Sequence, residues 1–370
     1  MGVTLQDKFF GCIAGVHIGS SMGATVEGWS YQKITETYGE VNQLRSYEHY
    51  NNGWKRPPGT TEDGVERQKL MITAIIEKQD RVNAEDVKAI WLRDIKPISI
   101  GMVSEPFEAV LLARAKTGIP ARDLGQYCDY AGLNSFARAC HPIGLINAGN
   151  EEWAMRDIYD VGQLYQVDKS IGLQWAQVTG VGIAAATRPD ATVDSVIDAV
   201  LKRTYSTYNN KQYQKAIDQR KYGVRLKLEE MLEATKDCKD YKELRVCFDK
   251  YFGGTGIPYS MASASEVVSK ALCIFRMVKG NTKDAIIAGV NLGRDTDCLA
   301  AVAAGISGAL TGGSSIPREW IDQVDKATKE NIYTNSQRTL RESSDGLYNA
   351  FKARMARGKQ LAATMTAYAQ

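Results

Sequence analysis

The chain has 370 residues, 44% of them hydrophobic and 24% charged, with a formal net charge of +3. It is long enough to bury a core without disulfide or metal support, and its near-neutral charge has no basic or acidic block, which argues against nucleic acid or an anionic membrane as the main partner. Seven scattered cysteines without a C-x-x-C pair suit a reducing, cytoplasmic setting better than a disulfide scaffold, and the start lacks the basic region and cleavage site of a signal peptide.

Helical apolar spacing recurs along almost the whole sequence. The spacing predicts helices over 7–16, 64–79, 87–95 (opened by Asn83 and stopped at Pro97), 104–115, 149–158, 171–187 and 192–203. Further helices are predicted over 212–235, 241–251, 264–278, 282–292, 299–310, 316–326 and 336–363. Only residues 41–47, VNQLRSY, read as a short strand. The fold class is therefore all-α. Without a Ser/Pro-rich linker, residues 1–370 are expected to form one domain with a C-terminal helical extension over about 330–370. Two small-residue segments, 177–187 and 299–313, are expected to form the buried centre, and 298–310 is the longest apolar stretch, too short to cross a bilayer.

Histidine narrows the chemistry. Only His17, His49 and His141 are present, at spacings that exclude an H-E-x-x-H protease or a His-rich zinc site, and His141 before Pro142 reads as a loop residue. Neither a G-x-S-x-G elbow nor a P-loop is found. What remains is carboxylates before helices: Thr61-Glu62-Asp63 ahead of the helix at 64, and Asp295-Thr296-Asp297 ahead of the helix at 298. Glu27, after the Gly-rich stretch GSSMG (19–23) read as a turn, is a third candidate. Such residues are ordinary helix caps when taken singly; together their oxygens suit a hard cation such as Mg²⁺ or Mn²⁺. Long loops at 45–63 and 251–263 are candidates for substrate contacts, with Trp54 and Tyr259 placed to stack a base. Cys298, at a helix start, reads as a small packing residue rather than an activated thiol.

These segments resemble the ADP-ribosylglycohydrolase family. FFGCIAGVHIGSSMGATVEG resembles its opening helix, TTEDG its T-D-D-T motif, ARACHPIGL its mid-chain R-x-x-P-[IL]-G segment, and GVNLGRDTDCLAAVAAGISGALTG its G-x-D-T-D-T helix. The resemblance implies a compact orthogonal multi-helix bundle whose cleft holds one or two Mg²⁺ or Mn²⁺ ions. The implied metal ligands are Thr61, Glu62, Asp63, Asp295 and Asp297, and the implied catalytic residues are Glu27, Glu62 and Asp63. Gly254, Thr255, Gly256, Tyr259 and Trp54 are expected to contact the substrate, a small or protein-linked ribosyl compound. The chain departs from the pattern where Glu62 replaces the first Asp of T-D-D-T, Gly64 its last Thr, Cys298 the last Thr of D-T-D-T and Ser20 an Asp near the first helix; no His stands at the usual place near Asp168, and ARACHPIGL has one extra residue before its proline. The implied activity is metal-dependent hydrolysis of a ribosyl N- or O-glycosidic bond. Alternatives are a hydrolase of free or modified nucleosides and an inactive binding or structural relative.

Overall fold

Gly11, Gly15, Gly19 and Gly23 recur at every fourth position of the first apolar run, a spacing that aligns them along one helix face. The architecture follows from that stripe. The protein is described by a computed structural model covering residues 2–49, 51–105, 107–128, 131–203, 224–252 and 261–368. In it the first helix, α1, runs over Leu5–Gly23, so residues 19–23 are helix rather than the turn expected, and their amide groups are not open to hold an anion. Thr4 caps it, its hydroxyl accepting from the Asp7 amide. The stripe faces helix Thr296–Thr311, and a Cβ built on Gly11 would lie 2.2 Å from the Gly312 carbonyl carbon, one on Gly23 2.5 Å from the Asp297 Cα. The two helices therefore meet backbone to backbone, a packing reason for residues that otherwise cost helix propensity.

The remaining α-helices of the described residues follow in order. They are α2 Tyr31–Tyr38, α3 Asp63–Lys78, α4 Ala84–Asp94, α5 Phe107–Ala115, α6 His141–Ile146, α7 Glu151–Gly162, α8 Ile171–Ala186 and α9 Val193–Arg203. After these come α10 Val224–Ala234, α11 Tyr241–Phe252, α12 Ala264–Met277, α13 Thr282–Val290, α14 Thr296–Thr311, α15 Arg318–Glu330 and α16 Leu340–Tyr368. Helix α14 is the axis, with α1, α8, α12 and α13 packed around it. Every residue of α14 up to Leu310 is buried. The described part is thus all-α apart from one two-residue hairpin, and both small-residue helices lie at its centre.

Several expectations shift. The strand expected over 41–47 shrinks to β1 Tyr47–Glu48, paired antiparallel with β2 Lys55–Arg56. Residues 31–38 and 141–146, read as connecting segments, are the helices α2 and α6. His141 is fully buried at the start of α6, where Pro142 supplies a helix-compatible φ. The helix expected over 212–235 is seen as α10 from Val224, its earlier part lying outside the described residues. Among the described residues the longest apolar segment is Leu5–Val26 rather than 298–310; by length and composition it could cross a membrane, and its most apolar 18-residue window is 94% buried within the fold. In α16 the first half packs on α1 through Phe9, whose ring lies 5.6 Å from Tyr348, whereas residues 355–368 are exposed.

The glycine contacts give paired expectations. Gly308→Ala would drive a Cβ to within 2.1 Å of the Gly11 carbonyl oxygen, and is expected to destabilise by about 3 kcal/mol. Gly182→Ala in α8 would meet only side-chain carbons at ordinary contact distance, Ile306 at 3.4 Å and Val200 at 3.7 Å, and is expected to stabilise by about 0.5–1 kcal/mol through helix propensity. Urea unfolding of both variants checks this; equal effects would refute the close crossing.

Candidate metal centre and active site

The glycine stripe ends at the acids. Gly23 rests on Asp297 and the chain turns through Ala24–Val26 into Glu27, while the Thr296 hydroxyl donates to the Gly23 carbonyl at 2.8 Å. The loop before α14 is tied to the same turn, since Gly28 N donates to Arg294 O at 2.8 Å and Arg294 N to Trp29 O at 2.7 Å. Gly293 and Arg294 both adopt positive φ there, and Glu266 of α12 holds the Arg294 guanidinium at 2.7 Å. Positive φ at a non-glycine residue persists where surrounding contacts enforce it; here they aim Asp295 and Asp297 toward Glu27.

The two acidic clusters, more than 230 residues apart in sequence, converge on Arg138. Its Nη1 donates to Glu62 Oε2 at 2.8 Å and to Asp297 Oδ2 at 3.3 Å, and its Nη2 to Asp63 Oδ2. Arg67 adds a second cation to Asp63 through Nη2 at 3.0 Å, while its Nη2 also pairs with Glu105 and its Nε with Glu108. Glu62 is fully engaged: Oε1 accepts from Ser20 Oγ at 2.6 Å, and Oε2 accepts from the Gly64 amide at 2.8 Å as the N-cap of α3. Asp295 stands at the equivalent position before α14 but caps nothing. Its Oδ2 accepts from Asn134 Nδ2 at 2.8 Å, whereas Asp295 Oδ1 and Asp297 Oδ1 are buried with no hydrogen-bond partner. Buried polar atoms are nearly always paired, and here one oxygen each of Asp295 and Asp297 is left without a donor, as are Arg138 Nε and Asn134 Oδ1 without partners. Together with Cys298 Sγ, oxygens of these two aspartates lie within 4.8 Å of one another. The donor chemistry fits a hard divalent cation held by oxygen.

The charges are unevenly compensated. Burial, then repulsion from Asp297 and Asp295, pushes the Glu27 carboxyl well above its ordinary range. Burial and Asp297 do the same to Asp295. Burial also raises Glu62 despite Arg138. Asp63 goes the other way, because Arg138 and Arg67 outweigh the cost of its burial and hold it ionised. Glu27 alone among these acids keeps appreciable exposure, 24% of its side chain, and its Oε2 lies 3.3 Å from His49 Nε2. Burial lowers the His49 ring, leaving it neutral near pH 7.

Of the other expected site residues, Thr61 and Trp54 are among those described. The Thr61 hydroxyl accepts from Lys69 Nζ at 3.2 Å and faces Glu66 at 3.5 Å, away from Arg138 and the aspartates. Trp54 packs edge-on against Tyr333, 4.9 Å between ring centres, with Arg56 over its face. Gly254, Thr255, Gly256 and Tyr259 lie outside the described residues. Sequence reasoning gave no role to Arg138, Asn134 or His49. Arg138 was visible inside ARACHPIGL, and the signal that could have found it is the need of clustered buried acids for a buried cation.

The family model described as ADP-ribosylglycohydrolase matches residues 1–356. The chain belongs to the ADP-ribosylglycohydrolase family. A relative from Archaeoglobus fulgidus, an uncharacterized protein, is 24% identical over 323 residues, 86% of this chain and 92% of its own length. A solved structure titled "ADP-ribosylglycohydrolase-related protein complex" superposes with a TM-score of 0.61 at 17% identity, covering 94% of this chain and 97% of that one. That likeness shows the fold: this member shares the family's helical architecture.

The raised carboxyls carry a stability signature with a defined sign. A carboxyl whose pKa is higher folded than unfolded binds extra protons in the native state, so its contribution is present at low pH and lost as pH rises past the ordinary range of about 4–4.5. Without divalent cations, stability is expected to fall as pH rises above about 4.5, by up to about 1.4 kcal/mol per pH unit for each such group. Asp295→Asn is expected to flatten that slope. Urea midpoints at three pH values measure it, and identical slopes in both proteins would contradict the charge imbalance.

Proposed function

We propose that this protein hydrolyses a ribosyl N- or O-glycosidic bond with the aid of Mg²⁺ or Mn²⁺, acting on an ADP-ribosylated protein or a small ADP-ribosyl compound. Family membership supports glycohydrolase chemistry. The observation that carries the cation dependence is the pair of buried, unpartnered oxygens on Asp295 and Asp297. A purely structural relative would have no reason to keep two such oxygens desolvated and unpaired. Seven scattered cysteines without a C-x-x-C pair favour a reducing, cytoplasmic location.

Asp295 and Asp297 would hold the cation, which when bound supplies Lewis-acid polarisation and a template for ribose hydroxyls and water. The reaction breaks the bond from C1′ to the leaving nitrogen or oxygen through an oxocarbenium-like transition state, and a water oxygen bonds to C1′. One proton must leave that water and one must reach the leaving group. Glu27 is the residue for this transfer: it is acidic, partly open to solvent, next to Asp295 and Asp297 in the field it feels, and its carboxyl is raised above the ordinary range by burial and by those two aspartates. Glu62 is unsuited, since both its oxygens already accept strong hydrogen bonds. His49 lies against Glu27 and orients its carboxyl. Asn134 holds Asp295 by Oδ2, leaving Oδ1 turned to the cluster.

Two variants separate the roles. Asp297→Asn is expected to abolish cation-dependent release of ADP-ribose and Mn²⁺ binding while leaving the circular dichroism spectrum unchanged. Glu27→Gln is expected to lower kcat by about 10²–10⁴-fold with Mn²⁺ binding retained by calorimetry. Chromatography of products from a panel of ADP-ribosylated proteins and ADP-ribosyl compounds gives the readout. Release that is indifferent to a chelator, or unchanged in Asp297→Asn, would rule the proposal out.

A further inference from the structure

We propose that Arg138 fills the place of a second cation, so that this chain binds a single divalent ion, on Asp295 and Asp297, and holds Glu62 and Asp63 with its own guanidinium. The inference rests on the cation-dependent reading above and deepens it by fixing the ion count.

The two acidic clusters differ in what remains open. At the first, Glu62 Oε2 and Asp63 Oδ2 both accept from Arg138, Glu62 Oε1 is taken by Ser20, and Asp63 also meets Arg67 at 3.0 Å. A dication arriving there would have to displace these donors and would face two guanidinium groups. At the second cluster, Asp295 and Asp297 each keep one oxygen free of any partner. Arg138 reaches this side only at the longer 3.3 Å, on Asp297 Oδ2, leaving Oδ1 open.

Local sequence makes room for the guanidinium. Gly64, the second residue of α3, has no side chain, and a Cβ built there would lie 3.0 Å from both Cδ and Nε of Arg138. A β-branched residue at 64 would reach further into that space. The arginine's own backbone is fixed from both sides: Arg138 N donates to Asn134 O at 3.2 Å, and Gln68 Nε2 donates to Arg138 O at 3.0 Å. The segment carrying the cation for one cluster therefore also carries Asn134, the residue that orients Asp295 in the other.

The test is a Mn²⁺ titration of the full chain, read by calorimetric stoichiometry and electron paramagnetic resonance. Wild type is expected to bind one Mn²⁺ with the spectrum of an isolated ion. Arg138→Met, which frees Glu62 and Asp63, is expected to bind two with the spectrum of a coupled pair, while Arg138→Lys stays at one. Gly64→Thr, which crowds the guanidinium out, carries the same expectation as Arg138→Met if the latter does not fold. Two coupled ions on wild type would overturn this inference and leave the proposed function standing, as would a single ion on every variant. A wild-type chain that binds no Mn²⁺ would overturn both.

Discussion

The close crossing of α1 and α14 is the constraint on which the rest depends. A glycine at every fourth position of α1 lets its backbone approach that of α14 more closely than any Cβ would allow, from Gly11 against Gly312 to Gly23 against Asp297. Interior packing tolerates little positional slack, so this contact fixes not only two helices but the ends of both. Glu27 follows α1 by one short turn, and Asp297 lies in the first turn of α14. A site that needs carboxylates placed to within fractions of an ångström is built here on rigid helix termini rather than on loop tips.

Stability and function pull apart at the same place. Burying Glu62, Asp63, Asp295 and Asp297 at 3% exposure or less is costly unless each charge is met. Asp63 is met by two arginines and stays ionised, whereas Asp295 and Glu27 are pushed toward their protonated forms. Ion pairs of this kind seldom stabilise more than apolar packing would, and removing one partner is what costs. The uneven pairing is the trait expected of a place kept for chemistry rather than for holding the bundle together.

Much of this was legible in the sequence, and the misses have physical causes. Apolar spacing located nearly every long helix, because burying a stripe on a 3.6-residue period leaves a strong signal. The end of α1 was misread because glycine at 19 and 23 suggests a turn unless the opposing backbone is known. Residues 41–46 are not strand: the Val41 backbone pairs with the Asn291 side chain, and among the described residues Lys55–Arg56 pairs with Tyr47–Glu48. The site itself divided by range of interaction. The acids before α3 and α14 could be found as candidates, but cap and ligand look alike in a string of letters. Glu62 does cap, through Gly64 N, and Asp295 does not. Arg138 and Asn134 act across more than 70 and 160 residues respectively, a relation no local pattern encodes.

Cys298 shows how the same geometry resolves a residue that chemistry alone leaves ambiguous. At a helix start beside an arginine a thiol is a candidate for activation. Here burial and the carboxylates of Asp295 and Asp297 outweigh Arg138 and push the thiol well above its ordinary range, so it stays protonated. It accepts from Arg138 Nη1 at 3.2 Å and donates to Asp297 Oδ2 at 3.4 Å. In that posture it offers no thiolate to a metal, and a hard cation gains little from a neutral sulfur. Its thiol shares Asp297 Oδ2 with the Arg138 guanidinium, which leaves Oδ1 of that aspartate for the ion. A hydroxyl at 298 would compete as a hard ligand, whereas the neutral sulfur leaves the cation to the two aspartates.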